Sequence, residues 1–171
     1  MTSFTFDEST NLLVIEGENL EDTRCSETAP HVVTFAGQTC TIKASTQTTG
    51  FIECTLSGSP SAGSHLPSVS HSCGAFAIND DVSAQEFTLT IDSVSPSTVN
   101  QLGSEMLTIT GTYFGTSMSQ VSVELVEKDT ETFVNNCELY SVGPSEIKCL
   151  TKSFIGQTDG SQYDVKVTVN S

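Results

Sequence analysis

Two stretches of this chain repeat each other, and that repetition limits the fold more than any other feature. Leu107-Thr108-Ile109-Thr110-Gly111-Thr112-Tyr113-Phe114 has a weaker counterpart in Leu13-Val14-Ile15-Glu16-Gly17-Glu18-Asn19-Leu20. Each is followed by a β-rich run, a cysteine and an Ile-x-Cys: Cys40 with Ile52-Glu53-Cys54, and Cys137 with Ile147-Lys148-Cys149. Gly17 and Gly111 stand 94 residues apart, Cys40 and Cys137 97, and Cys54 and Cys149 95. Solenoid units run at roughly 20 to 50 residues, so this period suits a small domain with its own core. The repeat divides the 171 residues into two tandem domains, 1–90 and 91–171.

Hydrophobic residues make up 36% of the chain, Trp is absent, and the aliphatics come in alternating runs without a sustained helical period. That pattern fits antiparallel sheets with one wet face each, an all-β fold of two sandwiches. In the second domain Val121, Val123 and Leu125 alternate with Ser122, Glu124 and Val126, one position being blurred. Strands are expected over 91–94, 106–111, 132–139, 146–150 and 163–169, with a turn forced by Pro96, a loop at 100–103 and a charged hairpin tip at 127–131. The first domain follows the same order, with strands over 12–17, 31–36, 39–43, 50–56 and 86–91. Residues 3–6 form a partial edge strand, and a Ser-rich insert at 57–68 leads into a strand through Val69. Residues 87–91 run into 92–94 with no Gly or Ser linker, so the two domains are expected to be joined stiffly.

The formal net charge is −15, from 21 acidic and 6 basic side chains. Nucleic-acid binding draws most of its affinity from Lys and Arg on phosphates, so nucleic acid is not an expected partner. Anionic membrane surfaces are disfavoured on the same ground. No apolar run approaches the roughly 20 residues of a membrane span, and no membrane insertion of this stretch is expected. The N-terminus lacks the basic and apolar regions of a signal peptide, so the address is expected elsewhere in a longer, multi-repeat protein.

Six cysteines allow 15 connectivities. Four of them fall at equivalent places in the two copies, which is how structural disulfides behave, and the repeat therefore pairs Cys40 with Cys54 and Cys137 with Cys149. Cys25 and Cys73 occur in the first copy alone and most simply close a third bridge. Disulfides persist in oxidising compartments, so an extracellular or cell-surface location is expected.

Ile91-x-Ser93-Val94-Ser95-Pro96-Ser97, Leu107-x-Ile109-x-Gly111-x-x-Phe114, the following Val-x-Val strand and the Cys then Ile-x-Cys pair together resemble the IPT/TIG domain. This is an immunoglobulin-like fold found in plexins, Met-type receptors, fibrocystin-like surface proteins and some transcription factors. The resemblance covers 91–171 well and 12–90 more weakly. It implies the same two disulfides, as in the receptor-type branch. The Gly-Gly that usually precedes the central strand is Gly103-Ser104 here.

Other chemistry is weakly signalled. Cys25, His31, His71 and Cys73 carry the donor types zinc prefers, but Cys-x5-His and His-x-Cys are not its common spacings, and an oxidised pair removes both thiolates. Asn79-Asp80-Asp81 and Asp92 offer oxygens for calcium, yet no Asp-x-Asp-x-Asp-Gly loop is present. The three histidines all lie in the first domain and no nucleophile elbow exists, so neither catalysis nor a cofactor is expected. The expected function is extracellular adhesion or recognition of protein partners at a cell surface. The contact loops would hold Arg24, Ser26 and Glu27, His65 and His71, and Glu127, Lys128 and Asp129, because loops at the ends of sandwiches are where such folds bind. The alternatives are a pure spacer, or an accessory non-catalytic sandwich of a carbohydrate-active enzyme.

Overall fold

The structure, a computed structural model, describes residues 1–18, 20, 32–43, 50–71, 74–75, 82–158 and 160–170. The described residues form strands and turns, and no helix among them is long and apolar enough to cross a membrane. The chain divides into two compact units, Met1–Glu86 and Phe87–Ser171.

In the first unit the strands are β1 (Ser3–Asp7), β2 (Leu12–Glu16), β3 (Val32–Phe35), β4 (Gln38–Ile42), β5 (Phe51–Leu56), β6 (Gly63–His65), β7 (Ser68–His71) and β8 (Gly74–Ala75), with β9 (Gln85–Phe87) at its end. One sheet runs in the order β1-β2-β5-β4-β3-β7-β8, and β6 pairs with β9. The strand expected as partial, β1, pairs with β2 over all five of its residues, from Ser3 opposite Glu16 to Asp7 opposite Leu12. Asp7 then starts the turn: its carboxylate accepts from the Ser9 hydroxyl at 2.7 Å, the Thr10 hydroxyl at 2.7 Å and the Ser9 amide at 3.0 Å. The Ser9 and Thr10 hydroxyls hold this carboxyl below the ordinary carboxylate value.

Four flat strand steps separate β1 from β3, roughly 19 Å at normal spacing. Yet the Phe35 ring of β3 lies edge-on to Phe4 at 5.6 Å and Phe6 at 5.3 Å. The sheet has therefore folded over on itself. β4 links β3 to β5 within it, with Cys40 opposite Val33 of β3 and opposite Leu56 of β5. Leu13, Ile15, Val33, Phe35, Ile52 and Cys54 fill the space inside, each at most 1% exposed.

In the second unit the strands are β10 (Thr90–Ser95), β11 (Met106–Thr112), β12 (Val121–Glu127), β13 (Phe133–Asn136), β14 (Glu138–Val142), β15 (Glu146–Leu150) and β16 (Tyr163–Val169). They form two sheets, β10-β11-β15-β14 and β13-β12-β16. Inward residues of both, among them Ile109, Ile147, Val123 and Leu125, share one core with Phe114 and Phe154. The alternation that marks strands in the sequence is thus the alternation between this core and water.

Both units use one register. Leu13 faces Cys54 and Ile15 faces Ile52 in the first, and Leu107 faces Cys149 and Ile109 faces Ile147 in the second. Ile42 opposite Cys54 corresponds to Leu139 opposite Cys149. The Gly17 amide donates to the Gly50 carbonyl, and the Gly111 amide to that of Ser145. The disulfides Cys40–Cys54 and Cys137–Cys149 occupy matching places, each with Cα atoms 5.5 Å apart.

Three expectations about strands are corrected. Residues 132–139 are two strands, because the chain leaves the β12 sheet after Asn136 and joins the β15 sheet at Glu138. Residues 86–91 also split: β9 pairs with β6, while β10 pairs with β11, and Thr88 and Leu89 lie between. The Ser-rich insert holds the short strand β6 as well as a turn. The blurred position in β12 has a local cause, since a register shift between Leu125 and Val126 buries both side chains.

Gly103 and Ser104 explain why the resemblance calls for two glycines. Both have left-handed backbones, with φ of 76° and 62°. A Cβ at Gly103 would lie 2.5 Å from the Lys152 carbonyl carbon, so only glycine fits there. Ser104 tolerates its conformation while its amide donates to the Thr151 carbonyl at 2.7 Å. Replacing Ser104 with glycine is expected to raise stability by about 0.5 to 1 kcal/mol, relief of left-handed strain outweighing the added freedom of the unfolded chain. Urea unfolding checks this.

Candidate functional site

The long connection from β15 to β16 is built onto the loop that precedes β11. Thr151, 3% exposed, exchanges bonds with Glu105: its amide donates to the Glu105 carbonyl at 2.9 Å, and its hydroxyl accepts from the Glu105 amide at 3.1 Å. The Phe154 amide donates to the Gln101 carbonyl at 2.8 Å, and the Gln101 side-chain amide donates to the Gln157 carbonyl at 2.9 Å. From β13 the Asn135 side-chain amide donates to the Ser153 carbonyl at 2.9 Å. Phe154 plugs the core and stacks on Tyr163 with ring centroids 5.2 Å apart.

This lacing fixes Gln101 and Phe154 and turns their successors outward. Leu102 is 70% exposed and Ile155 77% exposed. Each follows one partner of the Phe154 to Gln101 hydrogen bond, so two bare aliphatic side chains stand on a tied backbone. Single exposed aliphatics need no explanation, but a pair held this way is a candidate contact.

Beside them opens a groove of about 760 Å³. Val94, Pro96, Val99, Phe154, Tyr163 and Val165 belong to its apolar lining. Uncharged hydrogen-bonding groups, including Gln101, Gln157 and Gln162, and two charges, Lys128 and Asp164, complete it. The Lys128 ammonium donates to the Gln162 side-chain oxygen at 3.2 Å, and the Lys128 amide to the Gln162 carbonyl at 3.1 Å, which docks the hairpin tip on the rim. The tip is a closed turn: the Glu127 amide donates to the Thr132 carbonyl at 2.9 Å, and the Thr130 hydroxyl donates to the Glu127 carboxylate at 2.8 Å.

The family model for the IPT/TIG domain matches residues 89–171. Residues 89–171 are an IPT/TIG domain. No curated protein sequence matches the chain. Among solved structures, the surface glycan-binding protein PbSGBP-B from Prevotella bryantii is similar, with a TM-score of 0.46 and 16% identity over 98% of this chain and 35% of its own. The full extracellular region of plexin A4, domains 1 to 8, aligns with a TM-score of 0.41 and 22% identity over 98% of this chain and 17% of its own. A phosphatase-labelled structure from Bacteroides thetaiotaomicron aligns over 48% of this chain and 18% of its own, with a TM-score of 0.31 and 18% identity. This chain thus spans about a third or less of the length of those structures.

Of the contact residues expected from sequence, Glu127, Lys128 and Asp129 form the hairpin tip of the IPT/TIG domain, and Lys128 lines its groove. In the first unit His65 is half-buried in β6, its Nε2 3.1 Å from the Ser61 carbonyl oxygen. His71 contributes backbone to β7. Arg24, Ser26, Glu27, Cys25, Cys73, His31 and Asn79-Asp80-Asp81 lie outside the described residues. Among the described residues no group of three or more His, Cys, Asp or Glu is placed to hold a metal ion. Leu102 and Ile155 escaped the sequence reading although a signal exists: each is a lone aliphatic before a left-handed glycine, Gly103 and Gly156, in a polar loop.

Proposed function

We propose that this chain is an extracellular recognition module of two immunoglobulin-like sandwiches in tandem, part of a longer multi-repeat surface protein, and that it binds protein partners. The first unit is read as a divergent copy of the IPT/TIG domain because the registers around the two cysteine pairs coincide. The two disulfides support an oxidising, extracellular setting. A formal charge of −15 disfavours nucleic acid and anionic lipid as partners.

The observation that carries the binding reading is the outward pair Leu102 and Ile155 beside the groove. Two desolvatable aliphatics rimmed by hydrogen-bonding groups match the anatomy of a small protein contact. The hairpin tip of Glu127, Lys128 and Asp129 would add the charged rim. A second reading rests on the uncharged amides and the Tyr163 ring in the groove, which suit a neutral glycan.

Screening the chain against arrays of surface ectodomains and of glycans tests both. The double variant Leu102→Ser, Ile155→Ser is expected to lower binding to a captured protein at least about tenfold, as loss of a central apolar contact does, with its unfolding temperature unchanged. Protein binding that survives the double substitution, or capture by glycans alone, would overturn the protein reading.

A further inference from the structure

The outer edge of β16 is a strand without a partner among the described residues, since the sheet order ends there. Its counterpart in the first unit does not end its sheet. There β7 pairs with β3 on one side and β8 on the other, as β16 pairs with β12 on one side only. β3 and β12 correspond because Val33 faces Cys40, and the Cys137 amide donates to the Val123 carbonyl at 2.9 Å.

We propose that this chain associates with a second copy of itself through that edge, β16 against β16 in antiparallel register with Val165 opposite Val165. The backbone phase allows it. The Asn170 amide donates to Gln120 at 2.8 Å and the Lys128 amide to Gln162 at 3.1 Å, so even-numbered residues of β16 bond to β12. The amides and carbonyls of Tyr163, Val165 and Val167 therefore point outward, where a strand would be added. Two copies paired about Val165 match outward groups with outward groups.

Side chains choose this register over its neighbours. Along β16, Tyr163, Val165 and Val167 turn to the core, while Asp164, Lys166 and Thr168 face water. Pairing about Val165 sets each Asp164 opposite a Lys166 and each Tyr163 opposite a Val167. Moving the centre by one residue sets Asp164 against Asp164 or Lys166 against Lys166, and like charges directly opposite are destabilising. Within its own sheet Lys166 faces Glu124 of β12, so in the pair it would stand between two carboxylates. Such a match favours a second copy over an unrelated strand in a chain holding 6 cations against 21 acids.

Among the described residues the edge also lacks most of the usual protections. β16 is seven residues long, contains no proline, and keeps an unbroken register with β12 from Val121 opposite Val169 to Glu127 opposite Tyr163. Lys166 is the one charge of the guarding kind on it, and Asp164 two residues earlier makes it complementary to a copy of the same strand.

Sedimentation velocity of the full chain over a concentration series tests the proposal. The wild type is expected to show a monomer–dimer equilibrium. Lys166→Asp and Asp164→Lys should each weaken it about tenfold or more, because two attractive cross-strand pairs become repulsive in each. Mixing these two variants should restore association as a heterodimer, and the Asp164→Lys, Lys166→Asp double variant should pair like the wild type. Circular dichroism on each variant separates loss of pairing from loss of fold. A wild type that stays monomeric, a dimer indifferent to the reversals, or a Lys166→Thr variant that associates more strongly because the lysine was a guard would each overturn the proposal.

Discussion

Alanine in place of Phe114 is expected to cost the second unit about 3 to 5 kcal/mol, the range for emptying a fully buried aromatic site. Phe114 is 0% exposed and belongs to the core that both sheets of this unit share. Its backbone is held apart from the side chain's packing, for its amide donates to the Pro144 carbonyl at 3.2 Å just after Tyr113 takes a left-handed φ of 60°. The turn therefore survives in the variant while the space it delivered a ring into stays empty. Gly111, three residues earlier, leaves room for the tip of this ring and for the backbone of β10. A Cβ there would meet the Phe114 ring at 2.6 Å and the Thr90 carbonyl oxygen at 2.0 Å. Gly111→Ala should thus be destabilising by itself, and Phe114→Ala should not rescue it, because the Thr90 clash remains. In the first unit a Cβ at the matching Gly17 would come no closer than 2.9 Å to another atom, the Met1 Cα, against 2.0 Å at Gly111. Gly17→Ala should cost less. Calorimetry on the four variants checks the set, and a Phe114→Ala loss under about 1 kcal/mol would mean the ring does not fill a rigid site.

This Gly-x-x-Phe coupling also shows why so much of the fold was legible. Core contacts write themselves into the sequence twice over, as residue type and as spacing, so Leu13, Ile15, Ile52 and Cys54 could be matched to Leu107, Ile109, Ile147 and Cys149 before any pairing was known. Changes of partner leave no such trace. Nothing in Asn135-Asn136-Cys137-Glu138 marks the point where the strand leaves one sheet for the other, since no Gly or Pro interrupts it and only the identity of the neighbour changes. The break between Phe87 and Thr90 is hidden for the same reason. Surface function is fainter still: Leu102 and Ile155 acquire meaning because hydrogen bonds 46 or more positions apart in the chain tie their loops together, and the edge of β16 stands out because no described strand pairs with it. Local pattern encodes burial, and long-range pairing decides which buried strand belongs to which sheet.

The second large effect is expected from the disulfides, through that same change of sheet. Cys137 sits at the crossing itself: its amide bonds to Val123 of the β12 sheet, while its sulfur is bonded to Cys149, in the middle of the β15 sheet. The bridge is therefore a clamp between layers as well as a loop closure. Closing a loop of 12 residues' separation removes unfolded-state entropy worth about 3 kcal/mol, and both cysteines are buried, at 4% and 0% exposure. The Cys137→Ala, Cys149→Ala variant should accordingly lose about 3 to 5 kcal/mol, more than the entropy alone because a packed sulfur pair is replaced by smaller groups. Cys40 and Cys54 occupy the matching register within one continuous sheet, with a separation of 14 and exposures of 5% and 0%, so the same pair of substitutions there should cost the first unit a similar amount. Urea unfolding followed separately in each unit, with and without reductant, distinguishes the two contributions. If the clamp matters, the alanine variant should also show faster amide exchange at Cys137→Ala and Val123 than at Ile109, deep in the four-stranded sheet. Uniform exchange across both sheets would reduce the bridge to loop closure alone.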